Sequence, residues 1–264
     1  MTGPDEDLHA VADLATCPWA YPGTPAACSG VVEGGRFTAT PPAELLDTDA
    51  ARTAVVAVGS NASPAVLHRK LALHEVCGPV PLLTATLTGC AVGHSAHVSG
   101  PGFVAAAPYV ARAAATAVWV TLLDAAQLRC LDATEPNYVR RRVRDGVCVV
   151  ELDGGTRPAS FDLYDGRWGV LAPPGGAVMP FGSQEALHAL LRARWPPYAE
   201  LLDAAAADRR RGDAGVRDAD GGRARLEGVM RLLATDEALR RRVREAIAAS
   251  GWSRPSGLSR WPAV

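Results

Sequence analysis

The chain of 264 residues has almost no lysine, although charged residues are common in it. Lys70 is its only lysine, so nearly all of its 27 basic residues are arginine. They are balanced by 28 acidic residues, and the formal net charge is −1. A chain without a basic surplus has no overall field that attracts nucleic acid or an anionic membrane. We therefore expect neither as a partner, and the bias toward arginine and alanine is typical of a GC-rich coding sequence.

Long hydrophobic runs are also missing. Residues 53–59 and 113–123 are the longest apolar stretches, and both are shorter than the roughly 20 residues that a transmembrane helix needs. Residues 1–10 are acidic and lack the apolar stretch of a secretory signal. These absences predict a cytoplasmic protein. The hydrophobic content of 48% is that of an ordinary globular chain that can bury a core.

The six cysteines include no C-x-x-C pair. Several lie in apolar, strand-like runs, as Cys148 does, so we interpret them as small buried residues in a reduced compartment. Nothing in the pattern supports a disulfide between Cys17 and Cys28. His94 and His97 have a metal-ligand spacing, but a strand would turn them to opposite faces, and no cluster of carboxylates or thiolates accompanies them. We predict no metal site.

Composition divides the chain into three regions. Residues 1–52 are rich in proline, glycine, alanine and threonine, which predicts an irregular extension with weak helices over Asp5–Leu14 and Pro42–Leu46. Residues 53–172 are dense in strand-like runs. In residues 173–264 the pattern becomes helical. The helical stretches of this third region are residues 183–194, 197–211 and 224–250, with a loop over residues 212–222.

The first motif with chemical potential follows an early strand. Residues 53–59 read TAVVAVG, an apolar run that predicts a buried strand. Glycine lets the backbone turn sharply at Gly59–Asn61, where successive N–H groups can converge on an anion. Ser63 and Pro64 then have the character of a helix N-cap and first helical residue. The turn and the helix N-terminus together suit a carboxylate or a developing oxyanion.

The second motif lies between a short helix and a strand. Residues 114–123 predict a strand, after which Asp124 and Gln127 have the spacing of a capping box. The helix that they begin ends in the sequence Leu-Asp-Ala-Thr-Glu, with Glu135 at the junction and Pro136 after it. This arrangement places one carboxylate beside a proline and an aromatic residue at the start of the next strand.

The remaining strands of the middle region follow this junction. Residues 137–144 alternate polar and apolar side chains, and residues 147–152 continue after Asp145–Gly146. An Asp-Gly pair between two such runs is typical of a two-residue hairpin turn. We therefore predict that these two strands pair with each other. Residues 159–163 and 168–171 predict the last strands.

Together and in this order, the two motifs resemble the gamma-glutamylcyclotransferase family. That family has a strand that ends in a Tyr-Gly-Ser-Asn turn, and a short helix that reads Leu-Asp-x-x-Glu before a tyrosine and a basic strand. The corresponding residues here are Val58–Asn61, Leu131–Glu135 and Tyr138–Arg140. The resemblance covers roughly residues 53–172. Val58 replaces the family's aromatic residue, and Pro136 replaces a frequent glycine.

The resemblance implies a fold, a reaction and a set of site residues. The fold is α+β, a mixed β-barrel with short helices, here with a mainly helical C-terminal region. The reaction releases 5-oxoproline from a small gamma-glutamyl substrate without a cofactor, because the substrate's own α-amine attacks its γ-carbonyl. Glu135 is the implied general acid and base. Gly59, Ser60, Asn61 and Tyr138 are the implied substrate-binding residues.

Two other functions stay open at this point. One is a non-catalytic small-molecule-binding or scaffold protein of the same fold. The other is hydrolysis with Ser60 as the nucleophile, although residues 58–62 lack the second glycine of a G-x-S-x-G elbow and His68 and His94 have no identifiable acid partner. The leaving group is equally open among glutathione, gamma-glutamyl amino acids, gamma-glutamylamines and a carrier-bound intermediate. The oligomeric state is open too.

Overall fold

The structure, a computed structural model, describes residues 6–8, 13–46, 51–144, 146–212 and 222–264. Its strands are β1 (Glu6–Asp7), β2 (Gly30–Glu33), β3 (Arg36–Ala39), β4 (Thr53–Ala57), β5 (Val80–His94), β6 (Ala106–Leu123), β7 (Tyr138–Val143), β8 (Val149–Leu152), β9 (Phe161–Gly166), β10 (Val170–Leu171) and β11 (Ser253–Arg254). Its helices are α1 (Pro42–Leu46), α2 (Pro64–Ala72), α3 (Ala125–Ala133), α4 (Gln184–Arg194), α5 (Pro196–Gly212), α6 (Gly222–Thr235) and α7 (Glu237–Ala249). No helix in these ranges has the length and apolar character needed to cross a bilayer.

Most strands belong to one mixed sheet. Its order is β1-β3-β2-β5-β6-β4-β9-β7, with β8 added along β5. β4 pairs antiparallel with β6 and parallel with β9. Val55, Val56 and Ala57 are consecutive and all buried, so both faces of β4 are covered, and such a strand favours a continuous apolar sequence. The predicted α+β class is confirmed, and the carboxyl end of β4 leads directly into the candidate site.

The sheet does not form the closed barrel that the resemblance implies. Among the described strands, β1 and β7 are the two ends of the order and are not neighbours. The outer edge of β7 is covered by another segment, since Arg142 N–H donates to the Pro262 carbonyl and Val264 N–H donates to the Arg140 carbonyl, both at 3.1 Å. This pairing satisfies backbone groups that an open edge would expose. Closure through β7 is thereby blocked.

Residues 1–52, expected to be irregular, contribute strands to the sheet. β2 and β3 pair antiparallel, and β2 continues onto the edge of β5. The two strands are joined by Gly34 and Gly35, which have φ angles of 54° and 77°. Two residues with positive φ form the hairpin turn that fits the twist of the strands. Val32 and Phe37 are buried on the sheet, and the Gly-Gly pair was the sequence signal for this hairpin.

The two helices expected in the first region have different outcomes. The helix over Pro42–Leu46 is confirmed as α1. The helix over Asp5–Leu14 is wrong where the chain is described, because Glu6 and Asp7 pair with β3. Residues 9–12 lie outside the described residues. The boundaries of the three regions remain a prediction.

The predicted hairpin at Asp145–Gly146 is wrong. β7 pairs with β9, whereas β8 pairs with β5. Charge favours the first pairing, because Arg140 and Arg142 on β7 both bind Asp162 on β9. The second pairing depends on glycine at position 89. The chain before β8 passes so close to β5 there that a Cβ on Gly89 would lie 2.1 Å from the Val147 carbonyl oxygen. Long-range contacts thus outweigh the local turn signal.

The helices α4–α7 share a second core with the segment that follows β5. In this core Trp195 stacks on Tyr198 and on Trp252, with ring centroids 5.8 and 5.6 Å apart. The core extends to Val98 and Val104. The predicted helix over residues 224–250 is divided. Asp236 interrupts it and caps α7 by accepting a hydrogen bond from the Leu239 N–H at 2.8 Å. Most of the predicted loop over residues 212–222 lies outside the described residues.

One pair of cysteines is joined. Cys90 on β5 and Cys148 beside β8 form a disulfide that closes a sequence separation of 58 residues. The interpretation of all six cysteines as reduced thiols is therefore wrong for this pair. A disulfide is also typical of an oxidising compartment and not of the reduced one that we expected. The remaining free cysteines are Cys17, Cys28, Cys77 and Cys130. Of these, only Cys130 is buried.

We expect four of the six cysteines to react with a thiol reagent in denaturant, and all six to react only after reduction, because a disulfide offers no nucleophilic thiol. Mass spectrometry of the alkylated protein, prepared with and without reductant, gives the count directly. Peptide mapping assigns the protected pair. Six alkylated cysteines in the unreduced sample would contradict the disulfide between Cys90 and Cys148.

Candidate active site

The turn after β4 is packed too closely for any residue but glycine at its start. A Cβ added to Gly59 would lie 2.5 Å from the Tyr21 hydroxyl oxygen and 3.1 Å from the Cβ of Ala106. Residues 60–62 form one 3₁₀ turn, and the N–H groups of Ala62 and Ser63 donate to carbonyls within it. Their acceptors are the carbonyls of Gly59 and Ser60, and the N–H groups of Gly59–Asn61 take no part in these two bonds, so the predicted anion-binding role of that stretch stays a prediction. What the turn presents toward α3 is the side chain of residue 61.

Three polar side chains meet beside this turn. Glu135 Oε1 accepts hydrogen bonds from Asn61 Nδ2 at 3.0 Å and from Lys70 Nζ at 2.7 Å. Lys70 Nζ also donates to Asn61 Oδ1 at 2.8 Å. The side chains of Lys70 and Glu135 are 18% and 13% exposed, so water screens this ion pair less than a surface pair. The two sequence motifs thus come into direct contact, and α2 adds a cation.

Lys70 reaches this position from the last turn of α2. The helix begins at Pro64 with Ser63 at the N-cap, as predicted. The Ser63 hydroxyl makes no capping hydrogen bond and is buried without a partner. Leu67 and Leu71 are buried on the apolar face of the helix, which leaves Lys70 on the side that faces Glu135.

The turn that carries Glu135 is held at both ends. The hydroxyl of Thr134 donates to the Leu131 carbonyl at 2.8 Å at the end of α3. Glu135 N–H donates to the Asp132 carbonyl at 3.2 Å, and its own carbonyl accepts from Tyr138 N–H at 3.0 Å. At the other end of α3 the predicted capping box of Asp124 and Gln127 is present. The backbone of residue 135 is therefore fixed relative to both α3 and β7.

A network of ion pairs holds the end of α3, just before this turn, against β7 and β9. Arg140 binds Asp132 and Asp162, and Arg142 binds Asp162 as well. Asp162 is fully buried, so the two guanidinium groups supply the charge that it needs. The Tyr164 hydroxyl donates to Asp132 at 2.8 Å. Burial and this hydrogen bond raise the pKa of Tyr164, which keeps its donor proton in place.

The three polar side chains open onto a cavity of about 450 Å³. This volume lies within the range of small-molecule sites. Its wall combines the turn after β4, one face of α2, the segment after β5 and the end of α3. The lining residues that matter below are Asp13, Tyr21, Gly59, Ser60, Asn61, Arg69, Lys70, His97, Ala106, Glu135, Tyr138 and Tyr164.

Two tyrosines hold the backbone of Ala106 in the cavity wall. Ala106 N–H donates to the Tyr21 hydroxyl at 2.8 Å, and the Tyr138 hydroxyl donates to the Ala106 carbonyl at 2.7 Å. Burial raises the pKa of both tyrosines. Both therefore stay protonated at neutral pH. The proton of Tyr138 is committed to Ala106, whereas the hydroxyl proton of Tyr21 is not used in that bond.

The wall formed by the segment after β5 is also fixed. The Gln184 amide at the start of α4 bonds both the N–H and the carbonyl of Val104, each at 2.9 Å. His97 is buried, and its Nδ1 lies 2.6 Å from the Ser95 hydroxyl. Burial, and then nearby Arg244, lower the pKa of His97 to about 4. His97 is therefore neutral at pH 7 and adds no charge to the cavity.

The five residues that the resemblance implies all line this cavity. Glu135 and Asn61 touch each other, and Tyr138 is anchored to the wall instead of bonding Glu135. The structure adds Lys70 and Tyr21, which sequence reasoning missed. The single lysine of an arginine-rich chain was a usable signal for the first. For Tyr21 no local signal exists, because it contacts Ala106 across 85 residues of sequence.

Replacing Tyr21 by phenylalanine should lower the free energy of unfolding by about 1–3 kcal/mol, because Ala106 N–H would lose its acceptor in a buried place. Chemical denaturation of the variant and the wild type measures the difference. Tyr109→Phe is the matched control, since its hydroxyl bonds no described residue. An equal effect of the two substitutions would contradict the anchoring role of Tyr21.

The described residues place no group of three or more His, Cys, Asp or Glu side chains where they could hold a metal ion. The arrangement also disfavours Ser60 as a nucleophile activated by His94, because His94 Nε2 accepts a hydrogen bond from Gly182 N–H at 3.1 Å. The fold and site therefore define an α+β protein with one carboxylate, one ammonium group and one amide grouped in a small-molecule cavity.

No protein-family model matches the chain, and no curated protein matches it. Among solved structures, the chain is similar to the solution structure of an Arabidopsis thaliana protein, with 18% identity over 46% of this chain and 66% of that one, and a TM-score of 0.35. It thus spans just under two thirds of that protein. It is also similar to a structure described as a gamma-glutamyl cyclotransferase, with 12% identity over 69% of this chain and 99% of that one, and a TM-score of 0.34. At these TM-scores neither likeness carries an argument about activity.

Proposed function

We propose that the chain is a gamma-glutamylcyclotransferase-like enzyme that releases 5-oxoproline from a gamma-glutamyl amine or peptide. One observation carries the proposal. The carboxylate of Glu135 lines the cavity and accepts a hydrogen bond from Asn61, so the two motifs that resemble the family meet at a single point. A carboxylate that is 13% exposed and opens onto a cavity can exchange protons with a bound substrate.

The reaction rearranges bonds within one substrate molecule. The α-nitrogen forms a bond to the γ-carbonyl carbon, and the bond from that carbon to the leaving nitrogen breaks. The ring nitrogen keeps one hydrogen. The two other protons of the original ammonium group end on the leaving amine, which departs as an ammonium ion. No electrons are exchanged with a further reagent, so the reaction needs no redox partner.

Glu135 is the proposed carrier of the proton. Its Oε1 is occupied by Asn61 and Lys70, while Oε2 has no hydrogen-bond partner among the described residues. Oε2 is therefore the atom available to the α-ammonium group of a substrate. It takes one proton before the attack, which frees the lone pair of the nitrogen, and returns that proton to the leaving nitrogen as the tetrahedral intermediate collapses. It then carries the second proton from the ring nitrogen to the departing amine in the same way.

The cavity contributes to the rate by its shape. Ring closure requires the glutamyl chain to fold back on itself, and holding it folded removes an entropic barrier worth several kcal/mol. Gly59 and Ser60 are the proposed contacts of the glutamyl chain, and Tyr138 supports the wall on the other side through Ala106. The walls are mostly apolar, which favours exclusion of water from the reacting carbonyl when a substrate fills the cavity.

A screen of gamma-glutamyl compounds for release of 5-oxoproline tests this function. The panel includes glutathione, gamma-glutamyl dipeptides and gamma-glutamylamines, with chromatographic detection of 5-oxoproline and of the freed amine. The α-linked glutamyl isomers are the control substrates, because their side-chain carboxylate has no leaving group. Each reaction is compared with a sample without protein, which measures spontaneous cyclisation.

We expect at least one member of the panel to give equal amounts of 5-oxoproline and amine above the spontaneous rate. A panel without any such member would contradict the proposal. Binding of the same compounds without turnover would then identify the chain as the non-catalytic small-molecule-binding protein that the sequence left open. An enzyme that acts equally on α-linked isomers would also contradict it, since that outcome indicates peptide hydrolysis.

A further inference from the structure

The proposed reaction assigns no role to Lys70, although this side chain lines the cavity and bonds Glu135. An ammonium group has three N–H donors. Two of those on Lys70 point to Asn61 Oδ1 and Glu135 Oε1. No described residue accepts from the third, although the side chain is only 18% exposed. A fixed cation with one free donor beside a small-molecule cavity has the character of an anion-binding group.

The charged side chains that line the cavity form two ion pairs. Its charged lining residues are Asp13, Arg69, Lys70 and Glu135. Arg69 pairs with Asp13 at 3.4 Å in a more exposed place, where the two side chains are 29% and 45% exposed. The buried pair of Lys70 and Glu135 therefore dominates the inner part of the cavity. It presents one positive and one negative group side by side.

We propose that Lys70 binds the α-carboxylate of the glutamyl group while Glu135 binds its α-ammonium group. This inference rests on the proposed function and deepens it, because it names the residue that recognises the α-carboxylate of the glutamyl group. An α-amino acid head has opposite charges on groups attached to one carbon, and the lysine and glutamate side chains offer the complementary pair. A neutral α-amide would lack the partner of Lys70.

The residue type supports this assignment. Lys70 is the only lysine in a chain with 27 basic residues. Its compact ammonium group donates in three directions, as it does here to Asn61 and Glu135, whereas the planar guanidinium of arginine donates in one plane. Lysine thus fits a place where two fixed acceptors and one ligand surround the charge.

Two substrates that differ in one group test the inference. One is the best gamma-glutamyl compound from the screen, and the other is the same compound with its α-carboxylate converted to a carboxamide. We expect the full-length wild type to prefer the carboxylate by about 10- to 100-fold in kcat/KM, mostly through KM, which is the usual weight of a charge-assisted hydrogen bond in a half-buried place.

Variants of residue 70 identify the group responsible. Lys70→Met should remove the preference, so that kcat/KM falls about 10- to 100-fold more for the carboxylate substrate than for the carboxamide. Any indirect effect through Glu135 applies to both substrates and cancels in the ratio. Lys70→Arg should restore part of the preference. Arg129→Met, which removes an exposed cation on α3, is the matched control and should leave both rates unchanged.

The outcomes separate this inference from the proposed function. Release of 5-oxoproline with equal rates for carboxylate and carboxamide, or a preference that Lys70→Met retains, overturns the role of Lys70 and leaves the cyclotransferase in place. If no substrate turns over, the cyclotransferase fails, and calorimetric titration with L-glutamate and its α-amide decides the inference. Binding of L-glutamate that Lys70→Met abolishes then supports it, and absence of binding overturns it.

Discussion

Replacing Glu135 by glutamine is expected to lower the rate of 5-oxoproline release by about 10²- to 10⁴-fold, the usual weight of general acid–base catalysis. Glutamine keeps the size of the side chain, and its amide oxygen can still accept from Asn61 and Lys70. It cannot take a proton from the α-ammonium group. The loss should therefore appear in kcat, measured at saturating substrate, while the affinity for the substrate changes far less.

The control for this substitution is Glu245→Gln on α7, where the glutamate side chain is 62% exposed. It should leave turnover unchanged. Far-UV circular dichroism and a melting curve of each variant establish that the fold is retained. If Glu135→Gln turns over at the rate of the wild type, Glu135 is not the base, and the assignment fails at the residue on which it most depends.

Replacing Asp162 by alanine is expected to cost about 3 kcal/mol of unfolding free energy. Removing one partner of a buried ion pair typically costs about 3–5 kcal/mol, because the remaining charge stays buried without compensation. Here Arg140 is 11% exposed and Arg142 is 26% exposed. Arg142 can turn toward solvent, which places the expected value at the low end. Urea denaturation followed by circular dichroism measures it.

The comparison variant is Asp208→Ala, which removes the partner of Arg211 in a pair whose side chains are both about 70% exposed. Exposed pairs contribute little, so its effect should be within the error of the measurement. A loss of less than about 1 kcal/mol in Asp162→Ala would show that the network is not what fixes β7 against β9. The activity of Asp162→Ala should fall as well, since Arg140 also anchors Asp132 beneath Glu135.

Features that depend on neighbours in sequence were predictable. The capping box of Asp124 and Gln127 and the start of α2 at Pro64 formed where the pattern placed them. The choice of strand partners was not, because it depends on residues far apart. β7 pairs with β9 and not with β8 as predicted, and Arg140 and Arg142 on β7 bind the buried Asp162 on β9. A local turn signal cannot register such a contact.

The same distinction between local and long-range features applies to the residues of the candidate site. Asn61 and Glu135 were found from their motifs, and the structure brings them into hydrogen-bond contact. The N–H groups that bond within the turn belong to Ala62 and Ser63, so the expectation of converging backbone donors at Gly59–Asn61 stays a prediction. Lys70 and Tyr21 were missed, because each acquires its role only when α2 and the N-terminal segment pack against the sheet.

The contact between Tyr21 and Ala106 has a consequence for the order of folding. It closes 85 residues of chain, and the contact of Asn61 with Glu135 closes 74, whereas α4–α7 follow one another and meet through much shorter loops. Closing a long loop costs entropy before its contacts repay it, so we expect these contacts to form late. In a folding chain whose helices are complete, the cavity wall is still incomplete until Tyr21 contacts Ala106. For the proposed substrate, we therefore expect binding to begin at the last stage of folding and not at collapse.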